Sequence, residues 1–261
     1  MPKEVKDLQY PIPLQKGVIY GPMSSKRLGK SLGINLLPTD FKVCNFDCLY
    51  CFYGRTDYKY SSEHCPPMEG ILKEVEAALR SDTYIDYITF SGNGTATLHP
   101  EFPAIVREVI ALRDKHRLGI PVAILSNSTG LEKPEVLEAF SLFDMPIMKL
   151  DAATDTVFKN LNRPRQRIKV SDIIEKLEGM RGITIQTLFV DGEVVNYKGF
   201  ELERWMEALV RIKPESVQIY TLDRDLVQMG LTRLTDDMLH RIADYTFKTT
   251  GVPVKAFLEQ K

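Results

Sequence analysis

From residue 31 onward the chain alternates short β-branched or aromatic runs with longer stretches whose apolar residues recur three and four apart. The runs at 31–38 (SLGINLLP), 84–90 (YIDYITF), 120–126 (IPVAILS), 145–151 (MPIMKLD), 183–190 (ITIQTLFV) and 215–222 (ESVQIYTL) read as strands. The stretches at 67–81, 100–116, 133–142, 170–180, 200–212 and 234–251 read as helices. In the first of these, Ile71, Leu72, Val75, Ala78 and Leu79 fall on one helical face. Strands that alternate with helices build βα units around a parallel sheet. Right-handed crossovers leave two closures, a doubly wound sheet or a barrel. Either closure collects its ligand at the C-terminal ends of the strands. Residues 1–30, rich in Pro, Gly, Lys and Ser, show no period and read as an irregular lead-in. Residues 31–261 contain no long linker or internal repeat and read as one α/β domain, with VPVKAF closing the core.

The charge balance narrows the partners. Lys and Arg number 34 against 35 Asp and Glu, a formal net charge of -1. That is not the balance of a chain built to coat nucleic acid or an anionic membrane. The first residues hold charges but no apolar core of a signal peptide. No run reaches the ~18 apolar residues of a membrane helix. The expectation is a soluble cytoplasmic protein, where clustered cysteines serve as metal ligands or catalytic groups more often than as disulfides.

The residues with chemistry fall just after strands. Cys44, Cys48 and Cys51 stand four and three residues apart in KVCNFDCLYCFYG, and the whole chain has 4 Cys. Thiolate is the soft ligand favoured by zinc and by iron–sulfur clusters. A structural zinc takes four ligands, often in two short pairs, and His64 with Cys65 offers a loose completion. A [4Fe–4S] cluster takes one cysteine per iron. Three close cysteines leave one iron open to a substrate or cofactor. Other strand ends offer Gly92–Thr95, Ser126–Asn127, Asp151 and Thr221–Arg224. By alternation Lys149 and Asp151 share a face of their strand, opposite Leu150.

CNFDCLYC resembles the CxxxCxΦC loop of the radical SAM superfamily, with Tyr50 at the aromatic position. YGPMSSKRLGKSLGINLLP, FSGNGTATLHPEF, LSNST, KLDA, LNRP, IQTLFVDG and QIYTLDRD are similar to segments of a branch that includes the tRNA wyosine-base synthases. The similarity covers roughly residues 20–256. It implies a partial (β/α)6 barrel with parallel strands, open on one side, which agrees with the six strands read from periodicity. It implies a [4Fe–4S] cluster on Cys44, Cys48 and Cys51 whose open iron is chelated by S-adenosylmethionine (SAM). One-electron reduction then yields a 5′-deoxyadenosyl radical that abstracts hydrogen from a substrate. A flavodoxin- or ferredoxin-like protein would supply the electron. Tyr50 matches the position beside the adenine. Gly92, Asn93, Gly94 and Thr95 match the edge that holds the methionyl amine, and Ser126 and Asn127 face the ribose and carboxylate. Asp151 and Arg163 join the cofactor side, while Lys149, Gln186, Tyr220, Asp223 and Arg224 line the substrate side.

Two departures bear on activity. The family pattern GxGEPT reads Gly92-Asn93-Gly94-Thr95-Ala96-Thr97, with a hydroxyl where a carboxylate would face the amine. No cysteine precedes Cys44, whereas the wyosine-type enzymes look as if they hold a second cluster there. With so little net charge, these features favour a small molecule, peptide or protein substrate over tRNA. A partner protein supplying part of the site fits a chain with only one helix and a short tail after the sixth strand. The alternatives are a tRNA-modifying enzyme of the wyosine type and a non-catalytic iron–sulfur protein for electron transfer or redox sensing.

Overall fold

The computed structural model describes residues 11–56, 64–165, 167–223 and 229–258. The chain forms two compact units. One, here the N-terminal unit, comprises Pro13–Cys44 and Thr56–Ile147; the other, the C-terminal unit, comprises Met1–Ile12, Asn45–Arg55 and Met148–Lys261.

The N-terminal unit opens with an antiparallel pair, β1 (Ile19–Ser25) and β2 (Gly29–Ile34). Strand β1 corrects the expectation of an irregular lead-in. Its residues do not alternate, and its pairing register shifts between Tyr20 and Met23. A strand of this kind is held by its partner: the Tyr20 ring occupies the space that a Cβ on Gly33 would need. The βα series then follows as α1 (Met68–Arg80), β3 (Tyr87–Phe90), α2 (Phe102–Arg117), β4 (Val122–Ser126), α3 (Pro134–Phe140) and β5 (Met145–Lys149). Strands β2, β3 and β4 are parallel, with Ile34 opposite Phe90 and Phe90 opposite Ile124. Helix α1 buries Ile71, Val75 and Leu79, the stripe read from the sequence, and α2 buries Phe102, Ile105, Val106 and Val109. Each such side chain stabilises the fold by roughly 1.5–3 kcal/mol. Phe90 meets Phe143 edge-on at 5.2 Å.

The last two residues of β5 belong to the C-terminal unit. There the chain continues through α4 (Asp155–Leu161), α5 (Val170–Glu178), β6 (Thr184–Leu188), β7 (Asp191–Gly192), α6 (Gly199–Ile212), β8 (Ser216–Tyr220), β9 (Leu231–Thr232), α7 (Asp236–Thr250) and β10 (Val254–Phe257). Strands β6, β8 and β10 are parallel neighbours, and β7 pairs antiparallel with β9. Val254–Phe257 of the tail VPVKAF thus form a sheet strand that periodicity did not count.

Helix α4, absent from the sequence reading, is a short helix with a capped start. The Thr154 hydroxyl accepts the Val157 N–H, while Phe158 and Leu161 turn inward. Glu201 of α6 reinforces the same end by accepting the Thr154 hydroxyl at 2.5 Å. Helix α7 starts at Thr235, whose hydroxyl accepts the Met238 N–H, and ends at Gly251 with φ 73°. That left-handed conformation is easy for glycine. Among the described residues, no helix is long and apolar enough to cross a membrane.

Candidate functional site

In the N-terminal unit, the segment leading into the cysteine loop is stitched to the end of β3. The Val43 N–H donates to the Asn93 carbonyl at 2.9 Å, and the Thr95 N–H donates to the Val43 carbonyl at 2.9 Å. Gly94 has φ 142°, and a Cβ there would overlap the Val43 carbonyl. Gly92, with φ 135°, leaves room for the Asn35 side chain in the same way. These glycines therefore serve a close approach of protein to protein. Asn93 is fully buried, and its side chain is committed to the scaffold. It donates to the Gln15 and Pro38 carbonyls at 2.9 and 2.8 Å and accepts the Gln15 N–H at 2.8 Å.

This stitching sets Cys44 beside Thr95. The cysteine Sγ and the Thr95 hydroxyl are 3.1 Å apart. Asn127 directs its Nδ2 toward the same sulfur at 3.9 Å. Its Oδ1 is held by Thr129, which donates both its N–H, at 3.2 Å, and its hydroxyl, at 2.7 Å. Ser126 is buried and accepts the Ser128 N–H at 3.0 Å; Ser128 takes a left-handed φ of 67°. Of the residues expected at this edge, Thr95 and Asn127 thus meet a cysteine, whereas the Asn93 and Ser126 side chains organise the backbone.

In the C-terminal unit, the loop carrying Cys48 and Cys51 is fastened to the end of α4. The Asp47 N–H donates to the Asn162 and Arg163 carbonyls at 3.1 Å each, and the Leu49 N–H donates to the Leu161 carbonyl at 2.9 Å. Phe46 bridges Pro164, and the Arg165 N–H donates to the Asn45 carbonyl at 2.9 Å. Tight turns follow: the Cys51 N–H donates to the Cys48 carbonyl at 3.1 Å, and the Gly54 N–H to the Cys51 carbonyl at 2.9 Å. Arg163 takes a left-handed φ of 48° and leaves its side chain exposed. Its contribution to the loop comes from its backbone.

Behind the loop lies a buried polar network. Asp151 accepts the Tyr50 hydroxyl, the Asn162 amide at 2.8 Å, the Leu188 N–H at 2.8 Å and the Lys149 ammonium at 2.8 Å. The last contact confirms the shared face of Lys149 and Asp151. The Asp151 side chain has 0% exposure, so it reaches a ligand only through the groups it holds. Lys149 donates to the Tyr220 hydroxyl at 2.9 Å and lies over the Tyr220 and Tyr50 rings, 4.7 and 5.4 Å from their centroids. Burial pushes the ammonium toward neutrality, but Asp151 and Tyr220 outweigh it and raise the Lys149 pKa above its ordinary value. Burial, then the Asp151 charge, pushes the Tyr50 phenol well above its ordinary value. Both groups hold their protons at neutral pH. Gln186 donates to Gln218 at 3.1 Å on the neighbouring strand. Asp223 offers its carbonyl to Arg233 at 3.3 Å. Arg224 lies outside the described residues.

Asn162 is the site residue that periodicity missed. Its amide donates to Cys48 Sγ at 3.5 Å as well as to Asp151, and it lies 3.3 Å from the Tyr50 hydroxyl. The signal was its place as the residue closing α4, in a helix that Thr154 marks. Asn196, also missed, donates to the Asp151 and Leu188 carbonyls at 2.7 Å each and accepts the Val190 N–H at 2.8 Å. His64 packs edge-on against Phe41 at 5.2 Å. Among the described residues, no three His, Cys, Asp or Glu side chains gather in a group able to hold a single metal ion.

The radical SAM superfamily model matches residues 40–207, from just before the cysteine loop into α6. The chain belongs to the radical SAM superfamily. Members of this superfamily are enzymes that use a [4Fe–4S] cluster with SAM. Among curated relatives, a protein named GTPase Obg from Brachyspira hyodysenteriae is 31% identical over 87% of this chain and 33% of its own length. The UPF0026 protein MJ1312 of Methanocaldococcus jannaschii is 32% identical over 78% of this chain and 63% of its own. The chain thus spans a third and just under two thirds of these relatives. A crystal structure of a radical SAM methyltransferase from Sphaerobacter thermophilus superposes with a TM-score of 0.62 at 14% identity, covering 88% of this chain and 67% of that one. The structure of TYW1 with a lysine-pyruvate adduct gives 0.58 at 12% identity, over 84% and 74%. At such identities the likeness shows the fold: an α/β open partial barrel with parallel strands, as the family resemblance implied.

Proposed function

We propose that this radical SAM protein is an enzyme that holds a [4Fe–4S] cluster through Cys44, Cys48 and Cys51. The observation that carries the assignment is the set of hydrogen-bond donors around the cysteine sulfurs. Thr95 and Asn127 approach Cys44, and Asn162 donates to Cys48. Such donors stabilise the charge of a thiolate ligand. The spacing within one short loop supports three ligands to one group. When bound, the cluster with SAM supplies one-electron cleavage and hydrogen-atom abstraction.

The chain's own residues would position and shield that chemistry. Tyr50, fixed by Asp151, would lie beside the adenine, as its place in the motif implies. By the family resemblance, backbone at Gly92 and Gly94, with Ser126 and Asn127, would line the cofactor side, the side to which the resemblance also assigns Arg163. On the substrate side, Lys149 keeps its charge between two tyrosine rings and suits an anionic group such as a carboxylate. Gln186, Tyr220, Asp223 and Arg224 would complete that side. The preferred substrate is a small molecule, peptide or protein, with a flavodoxin- or ferredoxin-like protein as the electron donor.

The test is anaerobic reconstitution, dithionite reduction and EPR with and without SAM, alongside an assay for 5′-deoxyadenosine. A [4Fe–4S] signal perturbed by SAM, together with deoxyadenosine, is the expected result. A signal indifferent to SAM, without deoxyadenosine, would point instead to electron transfer or redox sensing. Cys48→Ala is expected to abolish the visible iron–sulfur absorbance, and an unchanged spectrum would sink the three-cysteine assignment.

A further inference from the structure

The residue that departs from the family pattern at position 95 touches a cysteine sulfur. Building on the cluster assignment above, we infer that the Thr95 hydroxyl, with Asn127, tunes the cluster through the Cys44 sulfur and makes it easier to reduce. A thiolate on iron carries no proton and can only accept. The 3.1 Å contact between Cys44 and Thr95 then has the threonine hydroxyl as donor.

The geometry around this contact is fixed from several sides. Thr95 is 3% exposed. Its N–H is tied to the Val43 carbonyl at 2.9 Å, and its carbonyl accepts the Leu98 N–H at 3.0 Å. Val43 immediately precedes Cys44, so the sulfur and the hydroxyl are set by one short stretch of paired backbone. Asn127 is oriented independently: its Oδ1 accepts both the N–H and the hydroxyl of Thr129, which turns the Nδ2 donor toward the sulfur.

Donors to a thiolate ligand stabilise negative charge, and reduction adds one electron to the cluster. The reduced state therefore gains more from these donors than the oxidised state, and the potential rises. A glutamate carboxylate at this position would offer the sulfur only acceptor oxygens and a like charge. Thr95 thus shifts the cluster toward reduction relative to a chain that keeps the carboxylate, and it relaxes the demand on the one-electron donor.

The experiment is a potentiometric titration, followed by EPR, of the reconstituted chain and three variants, with iron content measured in each. Thr95→Val removes the hydroxyl at nearly constant shape. It is expected to lower the reduced-to-oxidised ratio at a fixed potential about tenfold, which is about 59 mV for a one-electron couple. Thr95→Ser keeps a hydroxyl and is expected to stay within about twofold, the rescue that a purely packing role would not give. Asn127→Leu should move the ratio in the same direction by less, and it decides the matter if Thr95→Val loads no iron. A fully loaded Thr95→Val with an unchanged midpoint would overturn the inference and leave the cluster assignment standing. A wild-type protein that takes up no cluster would overturn the assignment itself.

Discussion

Asp151 shows how much one carboxylate can organise. It ties Lys149 from its own strand, Tyr50 from the cysteine loop, Asn162 from the end of α4 and the backbone of Leu188. Asp151→Ala would leave the Lys149 ammonium, whose side chain is 17% exposed, without its counter-charge. The expected cost is about 3–5 kcal/mol in denaturant unfolding, because a buried charge that loses its partner keeps its desolvation penalty. A loss below about 1 kcal/mol would mean that solvent already screens the pair. His99 carries a pH prediction. The Glu101 N–H donates to its Nδ1 at 3.0 Å, so Nδ1 is the acceptor of a neutral ring and Nε2–H donates to the Pro66 carbonyl, also at 3.0 Å. Burial pushes its pKa below the ordinary 6.5. The unfolded imidazole takes its proton first as pH falls. His99 therefore contributes stability that is present above 6.5 and is lost as pH drops through its lower folded value. Urea midpoints measured from about pH 8 to pH 5 should fall less in His99→Gln than in the wild type; parallel curves would show that His99 does not titrate in this range.

At the scale of elements, the cysteine loop is placed by what its two ends are stitched to. Its N-terminal end lies against Gly94, where only glycine leaves space for the Val43 carbonyl. Gly94→Ala is expected to fold with a displaced loop and to lose most of its iron on reconstitution. Full iron loading would show that the loop finds its geometry without this contact. The C-terminal end of the loop is fastened to α4, whose Thr154 hydroxyl is held by Glu201. Thr154→Ala should cost about 1 kcal/mol, typical of a lost cap. The six strands and six helices of the alternation were legible because their apolar periods are strong. Strand β1 and helix α4 were not. The first is irregular and half-exposed, and the second has 7 residues, too few for a period to stand out.

For the whole molecule, the balance of 34 basic and 35 acidic residues argues against a substrate bound mainly through phosphates. No retention of bulk tRNA is expected in a gel-shift assay at about 0.15 M salt. Tight, salt-sensitive retention would bring the tRNA-modifying alternative forward. The relatives that extend beyond this chain show its homologous region within longer proteins.

The sequence by itself determined the α/β alternation and the family likeness carried by the cysteine loop. The period of apolar residues records which face of each element is buried, and the spacing of Cys44, Cys48 and Cys51 is local, so both survive without coordinates. Only the tertiary structure decided what surrounds those sulfurs. Asn127 lies 83 positions from Cys44 and Asn162 lies 114 from Cys48, and no local pattern connects residues that far apart. Tertiary structure also reassigned the glycines and Asn93. What a missing Cβ makes room for depends on the chain that crosses it, here Val43 and Asn35. It likewise closed Asp151 off and turned Thr95 toward Cys44, because both outcomes rest on strand ends and loops that meet only once the sheet has formed.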